Sequence, residues 1–300
     1  MTKPSEKTID YASHKVVKCN KVEYHYLESG QGPTLFLLHG YPDNAYSWEH
    51  QIRFLSAQGY RVIAPFLRGY APTVTPKNSY FDRATLAIDV ACLIKVLNDG
   101  EPIYLVGQDW GAAISWGILG AYPELIKRCV ILAIPHPVEV KRTLKTSLRH
   151  CIRSFHWFLF QIPWLPEFLI RRGNGAFLKF LWRLWSPNFN DKQHVDELIT
   201  LHIQDKGIPN TLAYYRAAMQ KKYRDPALSK VFSRLDNQVN VPTKVICGQQ
   251  DMRKELLPRQ QDLLAESAQY QWELVDNAGH FLHREQPKII NEAILEWLSA

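Results

Sequence analysis

Asp109 lies at the centre of Gly107-Gln108-Asp109-Trp110-Gly111, between the apolar run Ile103–Val106 and an apolar stretch from Ala112. The pattern predicts a short buried strand, a tight turn bounded by two glycines, and a helix. A turn of that kind lifts its central side chain above the ends of the strands. A carboxylate there, with a pKa of roughly 4, is already ionised at neutral pH. It can attack a saturated carbon directly, whereas a serine needs a histidine to take its proton before attacking a carbonyl. The product is an alkyl ester on the enzyme. Water must then cleave that ester, and a histidine would activate the water. The plainer alternative is that Asp109 only caps the helix that follows.

Partners for such a nucleophile follow in the order acid, then histidine. Asp251 in Gly248-Gln249-Gln250-Asp251 comes directly after the predicted strand 243–247. His280 in Asn277-Ala278-Gly279-His280-Phe281 comes after the last one, 271–275. Asp251 would fix the imidazole tautomer and His280 would be the general base. His283 lies nearby without such a placement and is read as a bystander. His39-Gly40-Tyr41-Pro42 ends another apolar run. The backbone N–H groups of Tyr41 and Trp110 are the candidates for an oxyanion hole.

These residues need a frame that brings strand ends together. Apolar runs at 35–39, 60–65, 103–106, 128–134, 243–247 and 271–275 read as strands, and 80–98 carries helical spacing. Alternating strands and helices predict an α/β fold with a mostly parallel, doubly wound sheet, its ligands bound outside the carboxyl ends of the strands. Residues 137–225 break the pattern. They have little strand character, many aromatics and helical spacing, and are read as a helical lid inserted between core segments 1–136 and 226–300. The lid carries 15 Lys and Arg against 7 Asp and Glu, while the rest has 21 against 22, so the whole positive balance of +7 resides there.

At 300 residues the chain can bury one large core with an inserted subdomain. Five cysteines without C-x-x-C spacing read as reduced thiols and, with no signal-like apolar run at the start, as a cytoplasmic setting. No uncharged apolar run is long enough to span a bilayer. No nucleic-acid-binding motif accompanies the charge. Segment 167–185 is basic and very apolar, which makes weak membrane-surface contact through the lid an alternative expectation, although Gly173 and Gly175 interrupt it. The sequence leaves the oligomeric state open.

The H-G-x-P turn at 39–42, the G-Q-D-W-G turn, the G-x-x-D loop, and A-G-H-F with Glu285 and Pro287 behind it together resemble the epoxide hydrolase branch of the α/β-hydrolases, over nearly the whole chain. Haloalkane and haloacetate dehalogenases share most of these motifs. The resemblance implies an α/β-hydrolase fold with a helical lid, an alkyl-ester mechanism, a small apolar substrate and no metal or cofactor. What separates the branches is the leaving group. An opening epoxide becomes an alkoxide and needs proton donors; a halide needs only N–H groups. Epoxide hydrolases of this family use two lid tyrosines. His156 stands where the first is usual, and Tyr215 matches the second, with Tyr214 as its competitor because adjacent helical residues cannot both face one pocket. The competing reading of His156 is a lid histidine packed among Phe155, Trp157 and Phe158. The implied pocket comprises His39, Pro42, Trp110, Trp157 and Tyr214. Trp110 and Trp157 would cradle a halide in the dehalogenase alternative. Fluoroacetate dehalogenases hold a carboxylate with arginines just after the nucleophile, where this chain has Trp110 and Ala113, which argues against a haloacetate. Phe66 replaces an Asp that many relatives carry before Leu67-Arg68-Gly69.

Overall fold

A computed structural model describes residues 9–204, 207–264 and 269–300, so the first residues of the chain's polar start lie outside it. Among the described residues eight strands form one sheet: β1 (Ser13–Cys19), β2 (Val22–Ser29), β3 (Thr34–Leu38), β4 (Arg61–Pro65), β5 (Ile103–Gln108), β6 (Ile126–Leu132), β7 (Thr243–Gly248) and β8 (Tyr270–Val275). Their order is β1-β2-β4-β3-β5-β6-β7-β8. From β4 through β8 every neighbouring pair is parallel, and only the pairs involving β2 are antiparallel. This is the α/β-hydrolase fold.

The helices are α1 (Glu49–Ala57), α2 (Arg83–Leu97), α3 (Trp110–Ala121), α4 (Pro137–Thr146), α5 (Leu148–Arg153), α6 (Phe155–Leu159), α7 (Leu165–Arg171), α8 (Ala176–Trp185), α9 (Lys192–Gln204), α10 (Ile208–Met219), α11 (Ser229–Phe232), α12 (Leu282–Glu285) and α13 (Pro287–Ser299). Every residue of β3 and β7 is buried, as in strands covered on both faces. Alternate side chains sort by period two. Leu35, Leu37 and Val106 join the core beneath α1 and α13, while Phe36, Leu38 and Leu105 join the core beneath α2 and α3.

Two features depart from expectation. The β1–β2 hairpin was not read from the sequence. It closes through Asn20 and Lys21, both at positive φ (45° and 63°), the arrangement of a two-residue primed turn. Lys21 stands where glycine usually marks that turn, and exposed β1 gives little alternation to detect. The expectation of five reduced thiols is also corrected: Cys19 and Cys92 pair as a disulfide that ties β1 to α2, while Cys129, Cys151 and Cys247 are free. Neither partner has a neighbouring cysteine to betray a pairing across 73 residues.

The described part of the segment between β6 and β7 is helical, from α4 to α11. It also carries prominent exposed apolar side chains, among them Leu148 (77 % exposed), Trp164 (72 %) and Ile152 (64 %). No helix among the described residues is long and apolar enough to cross a membrane.

Candidate active site

Asp109 follows β5 directly and holds φ 50° and ψ −115°, a conformation that side-chain-bearing residues rarely adopt and that costs on the order of 1–3 kcal/mol. Its neighbours make the turn sterically feasible. A Cβ on Gly111 would collide with the Leu38 carbonyl oxygen, and one on Gly40 would collide with the Asp109 side chain itself. Both glycines are therefore required by close approach of backbone to backbone and of backbone to the Asp109 side chain. Asp109 does not cap α3 with its side chain. Its Oδ1 accepts a 2.8 Å bond from the Tyr41 N–H, and its Oδ2 lies 3.3 Å from His280 Nε2. The Trp110 N–H, at the first position of α3, is one of the donors that a helix leaves unpaired.

His280 completes a chain of contacts. Its Nδ1 is 2.8 Å from Asp251 Oδ2, while Asp251 Oδ1 accepts from the Arg253 N–H at 2.7 Å. Glu285 holds the histidine loop: its carboxylate accepts from the Gly279 N–H and from the Ser186 hydroxyl at 2.7 Å. Ser186 in turn accepts from the Phe281 N–H, and the His280 N–H donates to the Trp185 carbonyl. The loop is thus anchored to the end of α8. Burial disfavours charge on all three side chains, yet their mutual bonds prevail. Asp109 and Asp251 are held below the ordinary carboxylate value, and His280 is raised to about 9 by Asp109 and Asp251. Among the described residues no cluster of three or more His, Cys, Asp or Glu side chains is arranged to hold a metal.

Beside this geometry, a strained carboxylate on a strand-to-helix turn with a histidine and second acid from the loops after β8 and β7, similarity to known proteins identifies the family. The alpha/beta hydrolase fold family matches residues 33–287. The chain is 40% identical, over 330 aligned positions covering 97% of it and 99% of the relative, to Epoxide hydrolase 3 of Siraitia grosvenorii. It is 26% identical to Epoxide hydrolase 4 of Homo sapiens over 94% of this chain and 77% of that one. An epoxide hydrolase structure from Vigna radiata superposes with a TM-score of 0.78 at 25% identity, covering 98% of this chain and 99% of that one. The chain belongs to the α/β-hydrolases, in their epoxide hydrolase branch.

This α/β-hydrolase has a cavity of about 330 Å³ at Asp109, walled by apolar groups such as Ile134, Val140, Leu144 and Phe158. Trp110 and Trp157 both line it and stack on each other, ring centres 5.8 Å apart. Tyr215 also lines it, with its ring edge-on to Trp110, Trp157 and Tyr41. Burial first, and then the charge of Asp109, pushes its hydroxyl well above the ordinary value, so it stays protonated. His156 is buried beside this group, edge-on to Tyr215 at 5.8 Å and to Trp185 at 4.9 Å. Its Nδ1 has no hydrogen-bond partner among the described residues, and burial holds its pKa well down, leaving it neutral.

Three residues expected in the pocket lie elsewhere. Tyr214 turns away on α10, and its hydroxyl donates to the Arg68 carbonyl at 2.6 Å, which resolves the Tyr214–Tyr215 ambiguity in favour of Tyr215 at the cavity wall. His39 is a buttress. Its Nε2 accepts from the Leu67 N–H, so Nδ1 carries the proton and donates to the Gly40 carbonyl. Pro42 faces a separate small cavity with Tyr70 and His202. All three are close in sequence to site residues, but the turn geometry at 39–42 and the roughly 100° step between helical neighbours send them outward. His283 is a structural bystander bonded to Ser47 at 2.8 Å. Arg253, which lines the cavity, was not anticipated.

Proposed function

We propose that the protein opens apolar epoxides to vicinal diols through a covalent ester on Asp109. The observation that carries this is the ionised Asp109, aimed into an apolar cavity beside the protonated Tyr215 hydroxyl. Oδ2 attacks an oxirane carbon, the carbon–oxygen bond breaks, and its electron pair moves to oxygen, which takes a proton from Tyr215, with His156 as the second donor. Oδ1 becomes the ester carbonyl oxygen. It already accepts from the Tyr41 N–H, so that donor and the Trp110 N–H are positioned for the charge that develops when water attacks the ester carbon. His280, oriented by Asp251, takes one proton of that water as its oxygen adds to the ester carbon. The tetrahedral intermediate then expels the diol's alkoxide, which takes this proton from His280, and the acid proton left on Asp109 restores the Tyr215 hydroxyl. The helical segment 137–225 would serve as the lid that excludes bulk water from this sequence.

The test is to stop the reaction half-way. His280→Gln should form the ester and fail to release it, and intact-protein mass spectrometry should show enzyme plus one substrate mass. Single-turnover hydrolysis by the parent in heavy-oxygen water should place label in Asp109. A His280→Gln variant that never reacts, or label confined to the diol, would overturn the assignment. Halide release from brominated alkanes with no turnover of epoxides would select the dehalogenase alternative, with Trp110 and Trp157 as the halide cradle.

A further inference from the structure

The cavity at Asp109 is apolar apart from its charges, and those are one-sided. Arg83, Lys141, Lys145, Arg224 and Arg253 line it, against Asp109 as the one lining carboxylate among the described residues. Most of these cations have partners. Arg83 and Lys141 both reach Asp236, at 2.8 and 3.1 Å, and Arg224 donates to the Ala217 and Ala218 carbonyls. Arg253 differs. It is only 7 % exposed, in the loop after β7, and its backbone N–H is fixed on Asp251. Its guanidinium makes no hydrogen bond or ion pair with any described residue. Other buried arginines are paired: Arg68 bonds Asp89 through two nitrogens at 2.6 and 2.7 Å, and Arg284 bonds Asp191 at 2.8 Å.

A guanidinium without a protein acceptor that lines a cavity has its donors available to whatever enters it. The carboxylates near it are engaged elsewhere, Asp251 with His280 Nδ1 and Asp109 with the Tyr41 N–H and His280 Nε2. Arg253 lines two cavities, the one holding Asp109 and a smaller one, of about 150 Å³, holding Asp251 and His280. Its nitrogens are not among the polar atoms sealed inside protein. Its charge also acts on Asp109, Asp251 and His156.

We propose that Arg253 is a specificity-determining residue that receives a carboxylate borne by the substrate, close to its oxirane ring. The planar fork of a guanidinium matches the two oxygens of a carboxylate, and the surplus of positive charge along the cavity favours an anion entering it. The substrate class is therefore a compact epoxy acid with a hydrocarbon remainder for the apolar wall. This rests on the epoxide hydrolase reading and deepens it.

Phenylglycidate and its neutral counterpart phenylglycidol test the idea, because comparing one variant on both cancels effects on folding and on general catalysis. In Arg253→Gln, kcat/KM for phenylglycidate should fall about 10- to 100-fold more than that for phenylglycidol, the range of one hydrogen bond to a charged group, with the loss mainly in KM. Arg253→Lys should recover only part of it. An equal fall on both substrates would mean that Arg253 only positions Asp251 or His280, and overturns the proposal. Should Arg253→Gln not fold, the parent suffices: phenylpropionate should bind at least about tenfold more tightly than phenylpropanol, less so at high salt. Equal binding overturns the proposal. Failure of the parent to turn over either epoxide, or styrene oxide, would remove the epoxide hydrolase reading itself, whereas the binding comparison stands without turnover.

Discussion

The two halves of the proposed reaction ask opposite things of His280, and the charge on Asp109 is what separates them. In the resting site His280 is raised from 6.5 to about 9, so it is protonated at neutral pH and only about 1% of it could act as a base. At about 1.4 kcal/mol per pH unit, that rise is roughly 3 to 4 kcal/mol in favour of the imidazolium. Burial works against it, so Asp109 and Asp251 together must supply more than this. If they contribute comparably, removing the charge of Asp109 lowers the pKa by about one pH unit or more. Ester formation removes that charge, and so it would raise the fraction of His280 able to act as a base by about tenfold or more at the moment water must be activated. Asp109→Asn mimics the change without chemistry. A titration of the His280 ring proton by NMR should show the midpoint moving down by about that amount relative to the parent. An unchanged midpoint would mean that Asp251 alone sets it, and the switching argument would fail.

Tyr215→Phe removes one hydroxyl at the cavity wall, and pre-steady-state ester formation from an epoxide should slow by about 10²–10³. His156→Phe should give a comparable loss if its ring is the second donor, whereas a change confined to thermal stability would reduce it to packing against Trp185 and Tyr215. Stability should decline on both sides of neutrality in denaturant titrations. Protonated His280, with its pKa raised in the folded state, stabilises fully below about 6.5, and that contribution is lost as pH rises through about 9. His39, His136 and His202, each held down to about 4 by burial, contribute stability above about 6.5 that is lost as pH falls toward 4. The basic segment 137–225, with Leu148, Ile152 and Trp164 exposed, should sediment with phosphatidylserine vesicles at low salt and not with neutral ones; equal partition would exclude electrostatic membrane contact.

What was legible in the sequence was whatever rests on local backbone demands. Gly107 and Gly111 mark a turn that no other residue type could make without collision; Asp109 follows β5 directly, and Asp251 and His280 lie in the short loops after β7 and β8, so the sheet carries all three to one end. Tyr41 was legible through its backbone, which needs no side-chain direction. Side-chain direction was the weak point. Tyr214 and Tyr215 are adjacent on α10, and only the Arg68 carbonyl, contributed by a loop 146 residues away, captures one hydroxyl and leaves the other facing the cavity. His39 and Pro42 share a turn with Tyr41 but serve the loop at 66–70 and a separate cleft. Arg253 was harder still. Its chemistry lies in what it lacks, an acceptor, and a missing partner cannot be read from a sequence in which every arginine looks alike. Only its place two residues after Asp251 gave a clue. The residues proposed to carry the reaction are thus fixed by short-range geometry, while those proposed to choose the substrate depend on which long-range contacts are made and which are withheld.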